Sequence, residues 1–276
     1  MTTEFEVRNI RVGAGAPLVL IAGPCVVESR DLIFRTAEAL CAITEKLGMP
    51  LIFKSSYKKA NRTSLGGFTS IGMEEALRIL SDVRKEFNLP VITDVHTVEE
   101  IRTVRSHVDA LQIPAFLCRQ TDLLIEAGSS NLPVNIKKGQ FLAPEDMKHA
   151  AEKVGSTGNQ KIMLCERGTS FGYHNLVVDM RALVIMRSLG YPVVLDATHS
   201  VQLPSVDTVS GGQPEFIFPL ARAGAAVGID ALFIETHPDP SNAWSDAASQ
   251  LPLSQVEALL LQVTAIDRAQ KNIASH

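Results

Sequence analysis

Residues 17–29 read PLVLIAGPCVVES: an apolar run opened by Pro17, then Gly23-Pro24-Cys25, then the polar pair Glu28-Ser29. A nearly continuous run of leucine, valine and isoleucine suits a strand buried on both faces, as in a parallel sheet. Proline is tolerated at the first position of such a strand, where its missing N–H matters least. The turn that follows separates two α/β architectures. A doubly wound open sheet that binds a dinucleotide carries a glycine-rich first turn whose backbone cradles a pyrophosphate, and Gly-Pro-Cys cannot do that. A (β/α)8 barrel has no such requirement and places its reactive side chains at the C-terminal ends of its strands, where Cys25 falls.

The pattern repeats along the chain. Apolar runs at 50–53, 90–94, 110–113, 133–136, 161–165, 192–195 and 231–235 are each nearly continuous, and several also open with proline. Between them, apolar residues at three- and four-residue spacing predict helices over 30–47, 73–87, 98–107, 121–127, 144–153, 176–189, 214–227 and 254–269. The helix at 144–153 starts Pro-Glu-Asp, which suits a helix N-terminus. Eight strand–helix units in roughly 250 residues are the count of a (β/α)8 TIM barrel. Residues 5–12 precede the first unit and are expected to form a short hairpin closing the barrel floor. With no linker, repeat or low-complexity segment, residues 1–276 are read as a single (β/α)8 barrel domain of the α/β class.

Composition agrees. The 276 residues are 46% hydrophobic and 20% charged, enough for one large core and unlike a disordered chain. A net charge of −4 argues against a general nucleic-acid partner. No stretch approaches the roughly 20 apolar residues of a membrane span, and residues 1–10 carry charges with no apolar signal core. Cys25, Cys41, Cys118 and Cys165 lie far apart, so reduced thiols and a cytoplasmic location are expected.

Reading only the strand ends separates two chemical groups. The first is cationic: Lys54, Lys59, Arg62, Lys137 and Arg167 come from different strands and would converge on one rim. One lysine after a strand is ordinarily a solvated loop residue, but the whole set on a chain of net negative charge points to phosphate and carboxylate ligands. The second group is Cys25, His199, Glu235 and Asp246, a thiol, an imidazole and two carboxylates from strands one, seven and eight, which are neighbours once a barrel closes. Such a set suits iron(II), zinc or manganese. By position alone, a buried core cysteine and a hydrogen-bonding histidine are equally open readings. Cys41, Cys118 and Cys165 suit packing, His107 and His149 the surface, and His96 and His237 remain open as partners of site residues. Trp244 is read as a lid or packing residue.

Several stretches together resemble the 3-deoxy-D-manno-octulosonate 8-phosphate synthase family. They are AGPC at 22–25 with Glu28-Ser29, KSSYKKANRTS at 54–64, ITDVH at 92–96, QIPAFLCRQTD at 112–122, DATHSVQ at 196–202 and FIETHPDP at 233–240, with residues 135–140, 164–168 and 171–179. The resemblance spans nearly the whole chain. It implies a (β/α)8 barrel, a homotetramer, and condensation of phosphoenolpyruvate with D-arabinose 5-phosphate and water for a lipopolysaccharide sugar. The family has a metal-requiring branch with cysteine after Gly-Pro and a metal-free branch with asparagine there. Cys25 implies the first, with one divalent ion on Cys25, His199, Glu235 and Asp246.

By the same resemblance, Lys54, Lys59, Lys137 and Arg167 would hold phosphoenolpyruvate, with Gln112 and Asp94 nearby. Asn61, Arg62 and Thr63 would hold the sugar phosphate; the family often has serine at the position of Thr63, which keeps the hydroxyl. Phe116 and Arg119 would reach into a neighbouring subunit's site. His199, Lys137 and Asp94 are taken as the catalytic residues. The ion would hold and acidify the water or polarise the aldehyde, and either it or His199 would relay the proton.

Two alternatives differ in chemistry. The related 3-deoxy-arabino-heptulosonate 7-phosphate synthases take erythrose 4-phosphate and typically read Lys-Pro-Arg-Thr-Ser-Pro where this chain has Ala60-Asn61-Arg62-Thr63-Ser64-Leu65. A non-catalytic barrel that senses a phosphorylated metabolite is the other. Asn61, whose amide can meet a hydroxyl of the longer sugar, favours arabinose 5-phosphate.

Overall fold

Each apolar run forms a short parallel strand in the computed structural model, which describes residues 2–61, 67–203 and 211–274. The strands are β1 (Val19–Gly23), β2 (Leu51–Lys54), β3 (Val91–Asp94), β4 (Ala110–Ile113), β5 (Val134–Lys137), β6 (Ile162–Glu166), β7 (Val193–Asp196) and β8 (Ala231–His237). They pair in chain order, and two further pairings close the ring: Val194 with Ala231, and Ala231 with Val19. The opening prolines stand just outside the strands but still serve the ladder through their carbonyls, which accept from Leu20 (Pro50), Phe53 (Pro90), Leu111 (Pro133) and Leu164 (Pro192). A residue without an N–H thus costs the sheet nothing at that edge.

The surrounding helices are α1 (Arg30–Leu47), α2 (Met73–Glu86), α3 (Val98–Val104), α4 (Thr121–Ser129), α5 (Met147–Gly155), α6 (Met180–Ser188), α7 (Ile217–Val227) and α8 (Val256–Ala274). In α1 the spacing that predicted the helix is also its buried face: Ile33, Ala37, Leu40 and Thr44 lie inward. Ser29 caps its start, its hydroxyl accepting from Leu32 N, and Gly48 ends it at φ 63°. Among the described residues, no helix is long and apolar enough to cross a membrane.

Residues 5–12 form the expected hairpin, Phe5–Val7 against Ile10–Val12. Val7, Ile10 and Val12 are buried in one apolar cluster with the inward-facing Val19, Ile52 and Val194, so the hairpin plugs the barrel floor. Several helices begin or end a few residues from their predicted bounds, α8 running on to Ala274, and one changes character at its start. The stretch 176–189 begins as a hairpin, Thr169–Phe171 against Asn175–Val177, and becomes helical only at Met180. The carboxylate of Asp179 accepts from Arg181 N and starts the helix there, so a local cap overrides the apolar period upstream of it.

Candidate active site

Inward-facing positions recur every second residue along a strand, and their character changes at the upper end. On β2 the sequence of inward residues is Ile52 then Lys54, on β3 Ile92 then Asp94, on β7 Val194 then Asp196, and on β8 Phe233 then Glu235. The upper members, with Gln112, Lys137, Arg167 and His199, surround a cavity of about 290 Å3, of which Asp196 lies just behind the wall. Gly23 ends β1 at a point where a side chain cannot fit: a Cβ there would lie 2.0 Å from the Lys54 carbonyl oxygen. That close approach lets the chain turn over β2 and set Cys25 above the barrel.

Cys25, Glu235 and Asp246 each offer a ligand atom, all within 4.8 Å of one another. His199 is not one of that group but stands beside its two carboxylates, its Nε2 lying 3.7 Å from Glu235 Oε2 and 3.8 Å from Asp246 Oδ2. Its Nδ1 meets Asp196 Oδ2 at 2.7 Å, and Asp196 also takes the Lys137 ammonium. The oxygen Oδ1 of Asp196 accepts from the backbone of Thr198 and His199. The imidazole is thereby turned so that Nε2 faces the two carboxylates, the arrangement in which a carboxylate orients a ligating histidine.

Glu235 Oε2 is buried and has no hydrogen-bond partner among the described residues, an orphan that a cation would satisfy. Thiol, imidazole and two carboxylates at this spacing fit a borderline divalent ion.

The ionisable groups hold one another's charge states. Burial alone would raise Glu235, but the ammonium of Lys54, 2.7 Å from Oε1, with His199 and Lys59, more than reverses it and holds the carboxyl below its ordinary value. Burial opposes Asp246 in the same way and is overcome by Lys59 and His199. Lys59 Nζ stands 3.2 Å from Cys25 Sγ while paired with Asp246. Burial, with Glu235 beside it, pushes the Cys25 thiol up against the pull of Lys59. Burial lowers the Arg167 guanidinium, opposed by Asp196. Arg167 Nη2 donates to Gln202 at 2.9 Å, but buried Nη1 has no partner among the described residues.

A family model described as the DAHP synthetase I family matches residues 2–271. A 2-dehydro-3-deoxyphosphooctonate aldolase of Trichlorobacter lovleyi is 54% identical over 268 residues, 97% of this chain and 98% of the relative. One from Methylococcus capsulatus is 56% identical, covering 97% of this chain and 95% of the relative. The chain belongs to the 2-dehydro-3-deoxyphosphooctonate aldolase family. A third family member, from an Azoarcus species, is 56% identical over 96% of each chain. The resemblance read from the motifs is to this same family under another name.

Within this aldolase fold, Lys54, Lys59, Asn61, Asp94, Gln112, Phe116, Lys137, Arg167, His199 and Glu235 all border the cavity. Arg62 and Thr63 lie outside the described residues. Arg119 is exposed and does not border the cavity; its carbonyl accepts from Lys153. Lys138, next to Lys137, points the other way. It is wholly buried 3.6 Å from Glu166, whose carboxylate in turn accepts from the Arg167 and Gly168 amides.

Cys118 and Cys165 are buried in apolar clusters, as packing residues would be. His96 borders the cavity and bonds Glu100, while half-exposed Trp244 packs on Phe68. Sequence reading missed Ser56, which bonds Asp94, and Gln140, whose buried Oε1 is unpartnered among the described residues. Counting two on from Lys54 reaches Ser56, which bridges Val26, whereas Gln140 lies past the end of β5 in a turn that such counting does not reach.

Proposed function

We propose that the chain condenses phosphoenolpyruvate with D-arabinose 5-phosphate and water, giving 3-deoxy-D-manno-octulosonate 8-phosphate and inorganic phosphate for lipopolysaccharide sugar synthesis. Family membership supports the reaction. The observation that carries it to this site is three buried cations, Lys54, Lys137 and Arg167, bordering the cavity that Glu235 and His199 also border. In the reaction the phosphoenolpyruvate methylene carbon bonds to the aldehyde carbon, the aldehyde oxygen gains a proton, water adds to the central carbon, and phosphate leaves.

Lys54, Lys59, Lys137 and Arg167 hold the phosphate and carboxylate of phosphoenolpyruvate, Arg167 offering its unpaired Nη1. Arginine suits that grip because its planar fork meets two oxygens at once. Gln112, fixed by hydrogen bonds to Asp94 and Asn135, orients the same substrate. Asn61, Arg62 and Thr63 hold the sugar phosphate. Cations on both substrates offset their repulsion and keep the two carbons in contact. Cys25, His199, Glu235 and Asp246 would hold one divalent ion, iron(II), zinc or manganese. Such an ion supplies Lewis acidity at the reacting oxygens. His199, steered by Asp196, is placed to move the proton at the aldehyde oxygen.

Residues 1–276 are taken as a single barrel domain acting in the cytoplasm. Phe116 borders the cavity yet is 58% exposed, which supports a homotetramer in which it and Arg119 meet a neighbouring site. Light scattering reads that assembly. Phosphate release, followed with arabinose 5-phosphate and erythrose 4-phosphate in parallel, tests the activity. At least ten-fold preference for the pentose is expected, preference for the tetrose would reassign the substrate, and no release with either would favour a sensor.

A further inference from the structure

Asp246 stands at φ 48°, in the left-handed region that L side chains rarely adopt. The segment around it has little apolar anchorage: Ser241, Asn242, Trp244 and Ala248 are all exposed. A ligand on such a segment needs other ties to hold its place. One of them is a carboxylate that the reaction itself does not use. Glu28 is 6% exposed, and its Oε1 accepts from the backbone N–H of Trp244 at 2.9 Å. The same oxygen lies 3.7 Å from Nε2 of His237, which is 3% exposed. The Asp239 N–H donates to His237 Nδ1 at 3.0 Å, which leaves the ring proton on Nε2, on the side of Glu28. That Nε2 has no hydrogen-bond partner among the described residues, so Glu28 is its nearest electrostatic tie.

The positions of these three residues matter. Glu28 follows Cys25 by three residues, His237 follows Glu235 by two, and Trp244 precedes Asp246 by two. One buried carboxylate therefore joins the three chain segments that carry Cys25, Glu235 and Asp246. We infer that Glu28 is a positioning residue that clamps these segments together, with His237 as its partner, and so sets the distance between thiol and carboxylates. The inference rests on the metal-site reading above.

Cadmium(II) titrated into metal-stripped protein, followed by near-ultraviolet thiolate-to-metal absorption under chelator competition, tests both without an activity assay. The wild type is expected to give the band and Cys25→Ala to lack it; no band in the wild type would remove the metal site and this inference together. Given the band, Glu28→Ala is expected to bind cadmium about 10- to 100-fold more weakly, the usual span for a partner behind a ligand. Glu28→Gln, whose amide oxygen can still accept from Trp244, should recover part of that loss.

Equal affinity in wild type, Glu28→Ala and Glu28→Gln overturns the inference while leaving the metal site standing. A purely structural Glu28 would instead lower the unfolding temperature of the stripped protein and leave cadmium affinity unchanged. Should Glu28→Ala fail to fold, His237→Asn keeps an acceptor for Asp239 N–H and removes the ring proton facing Glu28. A several-fold loss of affinity is then expected, and none overturns the clamp.

Discussion

On β2, Ile52 and Lys54 face the same side, two positions apart. Ile52 is buried among apolar side chains above the hairpin floor, whereas Lys54, 2% exposed, ends 2.7 Å from Glu235 and 3.4 Å from Asp94. The same step occurs between Ile92 and Asp94 and between Val194 and Asp196. In the lower layer, removal from water is itself stabilising, by about 25 cal/mol per Å2 of apolar surface. In the upper layer it costs several kcal/mol per ion, offset only where an opposite charge is in contact. The two halves share strands and backbone geometry but are held by different physics. The upper half is also where an anionic substrate can replace an internal partner, because its cations are already desolvated and fixed.

That contrast can be broken or sharpened by experiment. The largest effect is expected from stripping divalent ions with a dipicolinate-type chelator: turnover should fall on the order of 100-fold or more, as Lewis-acid stabilisation is worth several kcal/mol. Added manganese or iron(II) should restore it, and full activity in stripped protein would remove the metal from the upper layer. Next, Lys137→Met leaves Asp196 buried with its ammonium gone. Breaking such a pair should cost about 3–5 kcal/mol, seen as a lower Tm together with lost activity.

In the lower layer, Ile52→Ala should cost about 3 kcal/mol through its cavity. The KM for phosphoenolpyruvate should stay within a few-fold of wild type; a rise matching that of Lys137→Met would show that the layers are not separable. The smallest effect concerns pH. Burial opposes ionisation of Glu100, but His96, Lys58 and Tyr57 hold its carboxyl well below the ordinary range. Its contribution is therefore present above the unfolded value of about 4.3 and lost as pH falls below it. The drop in Tm between neutral pH and pH 3 should be shallower in Glu100→Gln than in wild type.

Much of the site was readable because it is an extension of the fold's own rule. Counting two residues on from Ile52, Ile92 and Phe233 arrives at Lys54, Asp94 and Glu235. What could not be read is who faces whom. Lys137 and Lys138 are adjacent and alike in sequence, yet one reaches the cavity and the other is buried beside Glu166. Arg119, expected to reach a neighbouring subunit's site, lies exposed and away from this chain's own cavity. The helix expected from residue 176 starts at Met180, because the Asp179 cap is stronger than a weak apolar period.

The sequence by itself determined the number of strand–helix units, the inward face of each strand and the chemical type of each rim residue. These are local properties, fixed by side-chain alternation and by turn and cap chemistry. Only the tertiary structure set the 3.5 Å between Asp246 and Cys25, 221 positions apart, and placed the Glu28 carboxylate against the Trp244 N–H and beside His237 at the end of β8. Those contacts exist because β8 pairs with β1 and closes the ring, a closure that the count of units predicts while the distances across it depend on non-local packing.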